Sequence, residues 1–283
     1  MSKLFGIADE LVQAALKEKV EQVEVVLNES NIGVARFKDK AIHQNIEGYR
    51  PVAPRYTPYS VQIRIINNER LGVAISSAYN KKRLVKEVLK SAKYGPECKS
   101  FTPPVKAPSL SGLYHKDTAN LDPLERVESI NLIVDYCKDL HECIKSVGGL
   151  LSNLTSDTVI VNSLGLEAEH KFTGSQVLVT AVARESGNEG SGYDRQCSRN
   201  FYDLDLEQVA MEAAESALST IGYRKHPVPI GKRTVIFEAE AIAEYLGTLM
   251  QRGFSIDRVQ RTVQKVPLGE LVLDESLTVH DNG

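Results

Sequence analysis

Metal-binding residue types come closest together in this sequence at Cys137, His141 and Cys143. Cys137 and His141 are four residues apart in a predicted helix, and side chains at that spacing share one helical face. A thiolate and an imidazole are both ligands for zinc and similar metals. No further ligand stands at a recognisable spacing from this pair. Cys137 and His141 are therefore weak candidates for metal ligands, and structural roles are the favoured interpretation.

The glycine-rich segment of residues 187–192 has the composition of a phosphate-binding loop. It lacks the lysine and the strand–loop–helix setting of such loops, and Glu189 would repel a phosphate. The tip of a β-hairpin is the favoured interpretation. The six histidines are dispersed, and no nucleophile-elbow motif accompanies them. No catalytic residue and no cofactor-binding residue is therefore predicted.

A helix predicted over residues 80–94 carries a basic face that could contact DNA. Solvated helix faces are commonly rich in lysine, so this pattern alone is a weak indication. The whole chain has a formal net charge of −3 and a pI of about 6.1, which gives no general attraction to polyanions. Nucleic acid is therefore not expected as a partner. The basic residues are Lys81, Lys82, Arg83, Lys86, Lys90 and Lys93.

The composition is that of a globular protein. The chain has 283 residues, of which 42% are hydrophobic and 25% are charged, enough for one large or two ordinary domains. No apolar run approaches the roughly 20 residues that span a bilayer, so no membrane association is expected. Four scattered cysteines favour reduced thiols, and the N-terminus does not have the pattern of a signal peptide. A cytoplasmic location is expected.

The order of predicted elements favours an α+β fold with antiparallel or mixed sheets and packed helices, in two domains or subdomains. An N-terminal α+β domain is predicted over residues 1–95, a proline-rich linker over 96–121, and a central α+β domain over 122–283, incomplete at its C-terminal end. Strands are predicted at 23–27 and 32–37 around a turn. A hairpin is predicted at 61–76, and a helix from 122 to 147 ends at two glycines. Further strands are predicted over 150–155, 158–162, 167–173 and 176–185, and another helix over 205–221.

The segment of residues 234–250 is predicted to be a short buried strand that leads into an amphipathic helix. Its apolar residues follow the helical i, i+3, i+4, i+7 pattern on one face. They are Ile242, Tyr245, Leu246, Leu249 and Met250. Residues 270–283 are predicted to be a strand that enters a turn.

Several diffuse patterns, taken in order, resemble the TldD/PmbA family, whose members are known as modulators of DNA gyrase and as peptide-maturation proteins. The first is the hairpin of residues 61–76 with the helix that follows it, and the second is Val161-Asn-Ser-Leu-Gly165. The third is the helix of residues 206–219, which leads through Pro227-Val-Pro-Ile-Gly231 to the strand at 234–237. The last is Pro267-Leu-Gly-Glu270 with residues 277–281. These patterns span almost the whole chain, and their order carries the resemblance.

The resemblance implies a division into two branches. A TldD-like branch carries a zinc motif, His-Glu-x-x-x-His, on the helix after the strand at 234–237. A PmbA-like branch lacks the motif and accompanies its sister in a hetero-oligomer. Here the corresponding positions hold Gly247, Thr248 and Arg252. The resemblance therefore implies a PmbA-like, non-catalytic subunit that assists proteolysis or maturation of small or unfolded peptides.

The expected partners follow from the same resemblance. They are a TldD-like subunit or further copies of this chain, together with a peptide substrate. No cofactor is expected in this chain, and zinc is expected in the TldD-like partner. Family members usually continue into a C-terminal domain, so the chain is expected to lack one. Two alternatives remain open: an autonomous metallopeptidase with ligands elsewhere, and a module that binds DNA gyrase or nucleic acid.

Overall fold

The computed structural model describes residues 3–48, 59–101, 111–222 and 230–253, together with Asp274, Ser276 and Thr278. The chain divides into two compact units, Met1–Arg224 and Lys225–Gly283. The first unit combines helices with a curled antiparallel sheet, which confirms the predicted α+β class. No helix in the described ranges has both the length and the apolar character that crossing a membrane requires.

Helices and strands alternate in runs along the first unit. The helices are α1 (Lys3–Leu16), α2 (Lys81–Ala92), α3 (Lys116–Ala119), α4 (Pro123–Leu140) and α5 (Leu206–Ser219). The strands are β1 (Gln22–Lys38), β2 (Ala41–Ile46), β3 (Tyr59–Asn67), β4 (Arg70–Ser76), β5 (Ile144–Asn162), β6 (Glu167–Glu185) and β7 (Asn188–Ser198). A 3-10 turn, Phe201–Asp203, precedes α5.

The described strands form one antiparallel sheet in the order β4-β3-β1-β5-β6-β7, with β2 also paired to β1. Strand β1 is long enough to have two partners on the same side. Its first half pairs with β3, from Gln22 opposite Ile66 to Glu29 opposite Tyr59. Its last part, from Val34, pairs with β2, while β5 lies along the other side from Glu24 onward. The strand therefore joins the N-terminal and central parts of the chain.

Two hydrophobic clusters lie on the same side of this sheet, since side chains at every second strand position point to one face. Helices α1 and α2 cover the N-terminal cluster, to which β1 contributes Val25 and Leu27. Helices α4 and α5 cover the central cluster, to which β1 contributes Ala35 and Phe37. The sheet thus has one helix-covered face and one open face. Most side chains on the open face are half-buried.

A buried polar network lies beside β1 and β5, between the positions that feed the two clusters. Its centre is the fully buried guanidinium of Arg126, which donates from Nη1 to Asn153 Oδ1 at 2.7 Å. Arg126 also donates to Asn45 Oδ1 and forms an ion pair with Glu47. A Cβ atom on Gly33 would lie 2.4 Å from Arg126 Nη1. Glycine at position 33 therefore provides the space for the guanidinium.

The predicted turn between strands 23–27 and 32–37 is wrong, because β1 runs without interruption through these residues. Asn28 donates from Nδ2 to Ser156 Oγ at 2.9 Å and to Thr158 Oγ1 at 2.7 Å. Asn28, a residue type common in turns, therefore forms hydrogen bonds to the neighbouring strand β5. The four short strands predicted between residues 150 and 185 are likewise two long ones, β5 and β6.

The helix predicted to run to residue 147 is also wrong at its C-terminal end. Helix α4 ends at Leu140, and β5 begins at Ile144. Gly148 and Gly149 are strand residues, not a helix terminator. A Cβ atom on Gly149 would lie 2.0 Å from the Leu178 carbonyl oxygen of β6, so glycine permits the close approach of two strands.

The boundary between the two compact units lies after Arg224. From the sequence, the domain boundary was predicted in the linker of residues 96–121. The first unit continues to Arg224 because β1 and β5 are hydrogen-bonded to each other along 15 consecutive residue pairs. The start of the predicted linker follows the sheet edge, where Leu71 N donates to Pro96 O at 3.0 Å. Residues 102–110 of that linker lie outside the described residues.

The second unit contains α6 (Ala239–Gly253), close to the predicted helix. Residues 234–237, predicted to be a buried strand, have no regular secondary structure, and the side chain of Ile236 is 92% exposed. No described strand pairs with this segment. The ring of Phe237 stacks on that of Tyr245 with centroids 6.4 Å apart. The strand and turn predicted over 270–283 lie outside the described residues except for three positions.

Candidate functional site

The zinc-motif positions lie on α6. Gly247 and Thr248 are exposed in the middle of the helix, and the backbone of Arg252 belongs to its last turn. Glycine has no ligand atom, and the threonine hydroxyl is neither a zinc ligand nor a base near neutral pH. A guanidinium cation would repel Zn²⁺. These three residue types therefore do not fit the zinc site that the resemblance implies for the TldD-like branch.

The structure separates Cys137 and His141. The Cys137 side chain is fully buried in the central cluster and donates from Sγ to Ala210 O at 3.2 Å. Burial raises the pKa of the Cys137 thiol to about 12, so the thiolate that binds metals is disfavoured. His141 follows the last residue of α4, and its Nδ1 accepts a hydrogen bond from Cys143 N at 3.1 Å. Across the described ranges, no three His, Cys, Asp or Glu side chains converge as metal ligands.

The glycine-rich segment is the turn between β6 and β7 and the start of β7, so the interpretation as a hairpin tip is confirmed. Ser186 and Gly187 have positive φ angles of 48° and 82° in the turn. Gly190 and Gly192 lie directly against α5. A Cβ atom on Gly192 would lie 2.4 Å from the backbone nitrogen of Ala217. These glycines therefore serve close packing between a strand and a helix.

The basic face of α2 lines a groove of about 1010 Å³ against α1. Asp9 and Glu10 on α1, and Glu18 just after it, form the opposite wall. Lys81 Nζ lies 3.2 Å from Glu10 Oε2, and this contact, with a hydrogen bond from Tyr79, lowers the pKa of Glu10. The acidic wall offsets part of the positive charge of α2.

A second groove, of about 650 Å³, lies on the open face of the sheet, and we call it the open-face groove. The strand register arranges its floor in three rows across β1, β5, β6 and β7. The first row is Ile32, Leu154 and Gly174. The second is Val34, Ser152, Gln176 and Cys197, and the third is Arg36 and Leu150. A Cβ atom on Gly174 would meet nothing within 4 Å, so the first row ends in open space.

Arginines stand at both ends of the open-face groove. Arg36 lies on β1, and Arg199 follows β7 directly. The guanidinium of Arg199 lies over the Phe172 ring, 5.1 Å from its centroid, and donates from Nη1 to Thr173 O at 3.4 Å. Among the described residues that line the groove, none is Asp or Glu.

The open-face groove was not predicted from the sequence. Strand β7 was not predicted, because its glycine and polar residues do not have the alternation of a strand. The sequence does contain the alternating positions 32, 34 and 36, and likewise 150, 152 and 154, which indicate residues that share one face of a strand. Only the register shows that these residues stand side by side.

Comparisons with known proteins agree with this architecture. Residues 116–221 match the family model of the PmbA/TldA metallopeptidase central domain. The chain is 28% identical over 160 residues to a metalloprotease of Methanocaldococcus jannaschii. This match covers 55% of the chain and 35% of that relative.

Solved structures share the fold. A protein described as a modulator of a DNA gyrase, from Thermotoga maritima, matches with a TM-score of 0.68 and 21% identity over 80% of this chain and 50% of its own. A second protein so described, from Bacteroides thetaiotaomicron, has a TM-score of 0.66 and 20% identity over 80% and 52% of the two chains. TldE from Thermococcus kodakarensis has a TM-score of 0.63 and 16% identity, over 75% and 47%.

Residues 116–221 are therefore similar to the central domain of PmbA/TldA metallopeptidases, and the chain shares its fold with these solved structures. The chain is similar to TldD/PmbA-family proteins in this region. It spans about a third of the curated relative and about half of each solved structure.

Proposed function

We propose that this chain is a PmbA-like, non-catalytic subunit that assists a TldD-like metallopeptidase in the proteolysis or maturation of small or unfolded peptides. The supporting observation is the residue set Gly247, Thr248 and Arg252 on α6. Zinc hydrolysis requires ligands for the ion and a carboxylate base for the bound water. None of the three residues can perform either role, and a TldD-like partner supplies both.

The sheet supports a role in holding peptides. Its open face presents a groove that is four strands wide, and extended peptides bind sheets through their edges or through pockets for alternate side chains. In the proposed assembly the zinc subunit cleaves the substrate, and this chain helps to enclose it. The chain shares its fold with TldE of Thermococcus kodakarensis.

The test is reconstitution with a TldD-like protein that has an intact His-Glu-x-x-x-His motif. Each protein alone and the mixture are given a fluorescently labelled unfolded polypeptide. We expect the two to co-elute on size exclusion, and cleavage to appear in the mixture and to stop on addition of a chelator. Cleavage by this chain alone in the presence of chelator would contradict the proposal.

The alternative of an autonomous metallopeptidase is separated by metal analysis of the purified chain. The proposal expects much less than one zinc per chain. Zinc near one per chain that is lost on Cys137→Ala or His141→Ala, while the variants remain folded, would favour the alternative. A matched control is Cys98→Ala, which changes a cysteine beside the turn between β3 and β4, outside the central cluster.

A further inference from the structure

We propose that two copies of this chain pair through helices α2 and α5, with a basic face of α2 in each copy docked on an acidic face of α5 in the other. Helix α2 packs on β3 and β4, and α5 packs on β6 and β7, at the two ends of the strand order. Both helices belong to the first compact unit and cover the same side of its sheet. A two-fold axis can therefore bring each face opposite its complement.

The α2 basic face consists of four lysines that line the groove between α1 and α2. They recur every three or four residues, so they share one side of the helix. Within the described ranges none of the four forms an ion pair, whereas Lys81 pairs with Glu10 and Arg83 pairs with Glu87. The four charges extend over roughly 16 Å of helix at about 1.5 Å per residue. They belong to Lys82, Lys86, Lys90 and Lys93.

The α5 acidic face surrounds the half-buried side chain of Met211, in a shallow depression of about 330 Å³. Glu207, Glu212 and Glu215 are exposed there, and none of them has an ion pair in the described part of the chain. Their carboxylates extend over roughly 12 Å of helix. The two faces thus have opposite charge and similar length, which is the complementarity that orients protein–protein contacts.

Apolar contact is available at the same place. The floor of the groove contains Val85 and Leu89, and Met211 lies at the centre of the α5 acidic face. A methionine side chain is flexible and polarizable, so it can fill an irregular gap between two helices. The lysine–glutamate pairs would then set the orientation, while the apolar contact adds affinity.

The α1 wall of the groove disfavours a nucleic acid as the occupant. Asp9, Glu10 and Glu18 would face the phosphates along that wall, and like charges repel. Helix α5 exposes the neutral side chains of Gln208 and Ser216 together with its glutamates. A helix of this composition can present glutamates to α2 and neutral side chains to α1. A second copy of this chain therefore fits the groove better than a polyanion does.

Sedimentation velocity of the full chain at increasing concentration measures the pairing. We expect a monomer–dimer equilibrium with a Kd of roughly micromolar size at about 50 mM salt. At about 500 mM salt the Kd should be at least about tenfold higher, because exposed ion pairs are screened. The inference goes beyond the proposed function and does not rest on it. Its test needs neither a metallopeptidase nor a peptide, so its failure leaves the reconstitution result intact.

Charge reversal on either face should weaken the dimer. Lys82→Glu/Lys86→Glu on α2 and Glu212→Lys/Glu215→Lys on α5 each place like charges opposite one another, and each should raise the Kd at least about 30-fold. An equal mixture of the two variants should form a heterodimer with a Kd within about fivefold of that of the unaltered chain. In this mixture the reversed α2 face meets the reversed α5 face, and the two unaltered faces also meet.

The matched control is Lys38→Glu/Lys116→Glu, which makes the same change in net charge at exposed lysines outside both faces. It should leave the Kd within about twofold. If one variant does not fold by circular dichroism, the other variant and the salt dependence still decide the question.

A chain that stays monomeric at low salt would overturn the proposal, as would a dimer that neither charge reversal weakens. Folded variants that do not pair when mixed would have the same meaning. Assemblies that grow beyond a dimer would overturn the reciprocal pairing. Salt-sensitive binding of a DNA duplex by the monomer, lost in Lys82→Glu/Lys86→Glu, would assign the α2 basic face to nucleic acid instead.

Discussion

At the scale of single residues, burial and hydrogen bonding determine which side chains can bind a metal or react. Cys137 is the clearest case, because the residue type suggests a metal ligand while burial holds its thiol in the neutral form. Its hydrogen bond to Ala210 O connects α4 to α5. Cys137 is therefore a packing residue of the central cluster, where a small and weakly polar side chain fits between hydrophobic neighbours.

We expect Cys137 in the folded chain to react with N-ethylmaleimide at least about 100-fold more slowly than Cys197, because it reacts only when the structure opens. Both rates are measured on the same sample by peptide mass spectrometry at pH 8. In denaturant the two cysteines should react at similar rates. Fast native labelling of Cys137 would contradict the buried position of its thiol.

The contribution of the Asp39 carboxyl group to stability depends on pH. Partial burial raises the pKa of its carboxyl group, but the hydrogen bonds from Lys138 and from the Val147 backbone N–H outweigh this effect and lower the pKa. A carboxyl group with a lowered folded pKa stabilises the fold above its unfolded pKa of about 3.9, and the contribution is lost as the pH falls through the folded pKa.

Asp39→Asn should therefore lower the free energy of unfolding at pH 7, and the difference from the unaltered chain should shrink below about pH 4. Asparagine tolerates the positive φ angle of 51° at this position as aspartate does, so the backbone of the turn is preserved. Urea unfolding at a series of pH values measures the difference. A difference that stays constant down to pH 2 would show that the carboxylate charge is not its cause.

At the scale of elements, close approaches between backbones determine where helices and strands meet. Helix α5 packs on β7 because Gly190 and Gly192 present no side chains to it. Gly149 allows the same closeness between β5 and β6. The sequence marks these positions as turns or terminators, since glycine is common there. Only the tertiary structure shows that glycine at these positions permits the close approach of a neighbouring helix or strand.

Gly192→Ala should lower the free energy of unfolding by about 1–3 kcal/mol, because the added methyl group meets the backbone of Ala213 and Ala217 and α5 must shift. Gly174→Ala is the matched control on the next strand, where a Cβ atom has open space. That substitution should be neutral or stabilise the chain by up to about 1 kcal/mol. Both changes are measured by urea unfolding, and equal effects would argue against the packing role of Gly192.

At the scale of the whole first unit, the long strands combine two hydrophobic clusters into one structure. Strands β1 and β5 each contribute side chains to both clusters, and Arg126 lies between these contributions. Neither cluster can lose its strands without affecting the other. The unit Met1–Arg224 should therefore unfold as a single cooperative body.

Arg126→Met should destabilise this unit by about 3–5 kcal/mol, because it leaves Glu47, Asn45 and Asn153 without their shared donor. Glu47→Gln should cost less, since the Glu47 side chain is 40% exposed and water can replace part of the interaction. Hydrogen exchange measures both variants. The two halves of β1 should lose protection together, and independent loss would contradict a single cooperative unit.

The sequence by itself determined the α+β class, the resemblance to the TldD/PmbA family and the residue types at the zinc-motif positions. Periodicity and residue identity are local properties, and Gly247, Thr248 and Arg252 have no zinc-binding chemistry in any fold. Helices α2 and α5 were also predicted from the sequence. Their boundaries depended little on distant contacts.

Tertiary structure alone decided the length of the strands, the limits of the compact units and the open-face groove. Asn28, Gly148 and Gly149 have turn-like local preferences, but cross-strand hydrogen bonds and close backbone contacts outweigh them. The groove brings together residues from 32 to 199 through strand register, which no local pattern contains. Cys137 and His141 diverge for the same reason, because the end of α4 is set by the strand that must follow it.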